Sequence, residues 1–88
     1  MKLIIAIIRD SDNESVSRAL TAEDYRVTLI ASTGGFLRRG QSTLLIGVED
    51  ERVNHALEII RDNCQIPTDP NVKRATVFVI KVDQYTHL

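Results

Sequence analysis

Residues 26–47 read RVTLIASTGGFLRRGQSTLLIG, and this stretch decides the fold. Two runs rich in β-formers, 27–32 and 43–48, flank a connection that holds a glycine pair, an aromatic residue, two arginines and a third glycine. Strand-like runs joined by a glycine-bearing turn predict a β-hairpin. A plain reversal needs only two residues such as Asn-Gly, whereas this connection spends about eight to ten. Gly34 and Gly35 are able to take positive φ and to present N–H groups as a nest for an anion. Arg26, Arg38 and Arg39 supply charge, and Phe36 supplies a face for stacking on a base. The same residues also suit a purely architectural role, in which the glycines turn the chain, Phe36 packs on a neighbouring subunit and the arginines keep the hairpin soluble.

Upstream, residues 3–8 (LIIAII) are β-branched and too short for a helix, which predicts a central strand apolar on both faces. Ser11 and Glu14 have the spacing of a capping box, so a helix is expected to start there. Val16, Ala19 and Leu20 form its apolar stripe, and it is expected to fade near Glu23 and Asp24, where carboxylates oppose the dipole. The second strand is expected over 25–32, with Val27, Leu29 and Ala31 on one face and Arg26, Thr28, Ile30 and Ser32 on the other. The third, 42–49, alternates Leu44, Ile46 and Val48 with Thr43, Leu45, Gly47 and Glu49. A glycine inside a strand weakens it unless something approaches closely, so Gly47 is singled out.

Downstream, Asp50 is expected to cap a second helix carrying Val53, Ala56, Leu57 and Ile60. Pro67 and Pro70 end it in a loop over 65–74. Residues 75–82 (ATVFVIKV) predict a fourth strand, followed by a polar-aromatic tail. The order strand, helix, strand, strand, helix, strand is the ferredoxin-like βαββαβ arrangement. The fold class is therefore α+β, a four-stranded antiparallel sheet with two helices on one face. Two helices leave the other face of the first and fourth strands uncovered, and wetting several Ile, Val and Phe side chains forgoes roughly 1.5 to 3 kcal/mol each. Further copies of the chain are expected to cover that face.

The 88 residues are expected to form one domain, 1–88, burying roughly 60 to 65 % of the unfolded chain's surface. Eleven basic against twelve acidic residues give a net charge of −1, so no global field draws the chain to nucleic acid or membrane phosphates. A single cysteine, Cys64, excludes an internal disulfide and fits a reducing compartment, and the apolar start stops at Arg9 and Asp10, well short of the ~20 residues of a membrane span. A cytoplasmic protein is expected.

The remaining motifs carry no enzyme chemistry. Residues 35–42 approach a phosphate-binding loop, but Gln41 stands in the lysine position and a strand follows where a helix is required. Residues 10–21 superficially match a calcium loop, yet Ser15 and Thr21 occupy the glycine and glutamate positions. His55 and His87 have no metal-ligand spacing, and Cys64 at a helix end reads as a small apolar residue. No catalytic residue, metal site or cofactor is expected.

The opening MKLIIAIIRDSD, the run 26–40 with its TGGFL core, IGVEDERV at 46–53 and ATVFV at 75–79 together resemble the PII-like cyclic di-AMP receptor family of bacteria. The resemblance implies a homotrimer that binds the dinucleotide in clefts between subunits and signals to a downstream protein by reordering the loops 33–41 and 65–74, without catalysis. It implies that Arg26 and Thr28 line the nucleotide pocket from a strand, and that Gly35, Phe36 and Leu37 contact ligand from the turn. Gly47 matches a glycine where ligand nears the backbone, and Phe78 an aromatic near the same pocket. Gln41 stands where the family commonly has asparagine. The family's loop before the last strand is usually much longer and ends in a glycine pair; here it is short, with Lys73 and Arg74 in those positions. The alternatives are another adenine nucleotide, a small anion, or a protein-interaction module without ligand.

Overall fold

The computed structural model describes residues 1–32, 40–86 and 88. The chain runs β1 (Lys2–Arg9), α1 (Asn13–Ala22), β2 (Arg26–Ser32), β3 (Gln41–Val48), α2 (Val53–Asn63) and β4 (Ala75–Lys81), with short 3-10 turns at Asp10–Asp12 and Asp50–Arg52 leading into the helices. The strands form one antiparallel sheet in the order β2-β3-β1-β4, so β1 is central as its double-sided apolarity requires. This is the ferredoxin-like βαββαβ fold.

Among the described residues, the buried core draws on one face of the sheet. Ile4, Ala6 and Ile8 of β1 and Leu44, Ile46 and Val48 of β3 are buried together with Val16 and Leu20 of α1 and Ala56 and Ile60 of α2. The alternate residues Leu3, Ile5, Ile7 and Leu45 face the other way and remain half-buried, while Phe78 and Ile80 of β4 beside them are exposed. The helices thus lie on one face and leave an apolar row across the other.

Three local expectations are corrected. The capping box at Ser11 and Glu14 does not form: α1 begins at Asn13, and its cap residue Asp12 makes no capping bond. The Asp12 carboxylate is instead buried and accepts from Arg9 Nε at 3.2 Å and from the Gln65 amide at 3.2 Å, while Glu14 pairs with Arg18. Asp50 does not cap α2 either, because it opens the 3-10 turn and receives the Met1 ammonium at 3.0 Å. In β2 the simple alternation breaks at a bulge between Leu29 and Ala31. Beyond it Ala31 lies opposite Thr43 on the open face, and Ser32 lies opposite buried Ser42 on the helix side.

Helix α1 ends by geometry rather than by fading. The Tyr25 amide donates to Leu20 O at 3.1 Å and the Asp24 amide to Thr21 O at 3.0 Å, with Asp24 at φ 67°. This is a Schellman closure, completed by the packing of Tyr25 and Leu20 in the same core cluster. It sets the direction in which β2 departs. Glycine holds this left-handed position without a Cβ penalty. Asp24→Gly is therefore expected to raise stability by about 0.5 to 1 kcal/mol, read as a higher urea midpoint with unchanged slope.

Candidate functional site

The Schellman turn delivers Arg26 to the first position of β2, directly opposite Gly47 of β3, and Thr28 follows on the same open face opposite Leu45. These residues edge a groove of about 450 Å³, within the size range of small-molecule sites. Lys2, Arg52 and Tyr85 line it as well, so three cationic side chains, of Lys2, Arg26 and Arg52, surround it against the carboxylates of Asp24 and Glu49. Arg52 is held at the rim: its guanidinium lies 4.1 Å from the Tyr25 ring centroid and donates to Glu23 O at 2.9 Å. Tyr25 itself is fixed by a 2.7 Å hydrogen bond shared with His55 Nδ1 and by donation to Arg52 O at 3.3 Å.

Gly47 has a structural reason visible within the chain. A Cβ there would stand 3.3 Å from the Met1 Cε methyl, so the side-chain-free position lets Met1 lie across the strand. That contact is to the far end of a flexible side chain, which can withdraw.

Of the residues expected at the site, Arg26, Thr28 and Gly47 converge. Phe78 and Gln41 stand apart. The row Thr28, Leu45, Ile5, Phe78 runs straight across the four strands, which puts Phe78 three strand spacings, or about 14 Å, from Thr28. Gln41 opens β3 opposite Arg9, six residues and about 20 Å along the strand from Gly47. Gly35, Phe36 and Leu37, with Arg38 and Arg39, lie outside the described residues, as does His87.

Tyr85 and Arg52 were not reached by reading the sequence. Tyr85 sits in a tail with no periodicity. The one available signal was an aromatic residue in an otherwise polar end. Arg52 belongs to the EDER run after β3, where charge alone gives no direction.

A wider, shallower hollow between α1 and β2 is bordered by Asp10, Asn13, Glu14, Arg18 and Ser32. Its helix side chains pair among themselves, Arg18 with Glu14 and Ser17 with Asn13, as on a solvated helix face. Among the described residues no three His, Cys, Asp or Glu side chains are grouped to hold a metal ion, and no helix is long and apolar enough to cross a membrane.

The family model for cyclic-di-AMP receptors matches residues 1–70, which include β1 to β3, both helices and the groove residues Arg26, Thr28, Gly47 and Arg52. The chain belongs to the cyclic-di-AMP receptor family. Residues 71–88, with β4, Phe78 and Tyr85, lie beyond the matched range. Among solved structures, the chain is similar to a functionally unknown protein from Pediococcus pentosaceus, at 38% identity and a TM-score of 0.78 over 99% of this chain and 96% of that one.

Cys64 is a free, buried thiol. Burial, reinforced by the nearby Asp12 carboxylate, pushes its thiol up to about 11 from 9.0. A thiol so raised is almost wholly protonated at neutral pH and a poor nucleophile. The folded state holds this proton more tightly than the unfolded chain, so the thiol's contribution to stability is complete below about pH 9 and is lost as pH rises through about 11. Native Cys64 is expected to react with a disulfide reagent at pH 8 at least about tenfold more slowly than in urea, and Cys64→Ala is expected to flatten the alkaline fall in stability.

Proposed function

We propose that this protein is a nucleotide-binding signal-transduction receptor, with cyclic di-AMP bound in clefts between the subunits of a homotrimer built from single-domain protomers. The observation that carries this reading is the convergence of Arg26, Thr28 and Gly47 on one groove within a chain of the cyclic-di-AMP receptor family. Arg26 and the rim cations suit a phosphate, Thr28 offers a hydroxyl, and Gly47 lets a ring or ribose approach the backbone once Met1 withdraws. Tyr85 adds an aromatic face at the same groove.

The separations within one chain support a cleft made by two subunits. Phe78, three strands away from Thr28, meets ligand at the Arg26 groove only if it is supplied by a neighbouring copy. The half-buried row of Leu3, Ile5, Ile7 and Leu45, continued by exposed Phe78 and Ile80, is the apolar surface such copies would cover. The ligand signal would leave through 33–41 and 65–74. Exposed Ile66 and Val72 give the second of these an apolar surface for a downstream protein.

Titration calorimetry with cyclic di-AMP, with ATP and cyclic di-GMP as controls and the mass measured on the same sample, is the test. Saturation near one nucleotide per subunit of a trimer is the expected outcome. Arg26→Ala and Phe36→Ala are each expected to weaken binding about tenfold or more, and Gly47→Val to abolish it while leaving the trimer intact. An intact trimer that gives no heat with any nucleotide would refute the ligand assignment, and a monomer at micromolar concentration would refute the cleft.

A further inference from the structure

The short corner between β1 and α1 fastens both segments that the proposed receptor function treats as responsive. Asp10 Oδ1 accepts from Ser32 Oγ at 2.6 Å and also from Ser42 Oγ, and the Asp10 amide donates to Gly40 O at 2.9 Å. Ser32 and Ser42 face each other across the bulged end of the β2–β3 ladder. One carboxylate oxygen and one amide therefore hold both ends of the turn.

Two residues later the same corner holds the other segment. Asp12 Oδ1 accepts from the Gln65 amide at 3.2 Å, Asp12 Oδ2 takes Arg9 Nε at 3.2 Å, and Arg9 Nη2 donates to Gln65 O. Gln65 is thereby gripped at both its N–H and its C=O as it leaves α2. Asp10 and Asp12 share one 3-10 turn, tightened by donation from the Asn13 amide to Asp10 O.

Two members of this corner are buried. Asp12 is 2% exposed and Ser42 0% exposed, so neither can exchange its protein partners for water when the backbone shifts. The Ser32/Ser42 stem and Gln65 are thus joined through one short turn, by way of Asp10 and Asp12.

We propose that Asp10 is a positioning residue for Ser32, Gly40 and Ser42, where β2 leaves and β3 begins, and that the Arg9–Asp12 corner couples this stem to Gln65, so that a change at either is transmitted to the other. The inference rests on the receptor reading for its purpose but not for its test, which needs no nucleotide. Residue-resolved amide exchange is measured on ligand-free wild type, Asp10→Ala, Asp10→Asn and Asp12→Asn, with circular dichroism confirming the fold.

Asp10→Ala is expected to speed exchange at the distant Gln65 amide about fivefold or more, and Asp12→Asn to do the same at Ser42. Asp10→Asn retains an oxygen that accepts from both hydroxyls and is expected to stay within about twofold of wild type. If Asp12→Asn does not fold, Arg9→Lys replaces it, since lysine keeps the charge but loses the fork that spans Asp12 and Gln65. Faster exchange confined to each variant's own segment would overturn the coupling. Equal effects of Asp10→Ala and Asp10→Asn would overturn the positioning role of the Ser32 and Ser42 bonds. A failed nucleotide titration leaves either result standing.

Discussion

Two helices can dry only one face of a four-stranded sheet, and most of this molecule follows from that constraint. The central strand β1 is apolar on both sides. Its Ile4, Ala6 and Ile8 find the helices, whereas Leu3, Ile5 and Ile7 lie on the face without helices. The same division of faces sorts chemistry from packing. Arg26, Thr28 and Gly47 sit on the face without helices, at the groove rather than in the core.

The connections solve a second problem, which is how to hold loops at the end of a small sheet with few residues to spare. Charged groups do this work at the β1–α1 corner, and a ring does it at the α1–β2 turn. Buried Asp12 is tolerated because Arg9 and the Gln65 amide satisfy it. Tyr25 closes α1 with its ring and, through Arg52 and His55, ties that turn to the start of α2. Groove and loops therefore rest on contacts distant in sequence and adjacent in space.

That distance explains which parts were legible in the sequence. Element order, the central position of β1 and the oddity of Gly47 follow from local periodicity and composition, and they hold. Helix starts failed because Ser11, Glu14 and Asp50 have plausible local capping roles, but Glu14 pairs with Arg18 along α1 and Asp50 takes the Met1 ammonium instead. The bulge at Ile30 left no mark in a run that alternates acceptably, and without it Ser32 would point away from Asp10. Tyr85 was hidden because an aperiodic tail gives no face until the sheet is built. The TGGFL core, the clearest motif in the chain, lies outside the described residues, so its expected contacts stand on resemblance alone.

The bulge in β2 also bears on the behaviour of the molecule at high concentration. β2 is a border strand carrying exposed Leu29 and Ile30, a combination that invites another chain to continue the sheet and seed fibrous assembly. The extra residue interrupts the regular row of outward donors and acceptors and bends the strand where its apolar side chains are most exposed. A misaligned ladder is a poor template. The irregularity that sets Ser32 on the helix side thus also leaves this border without a continuous register to copy.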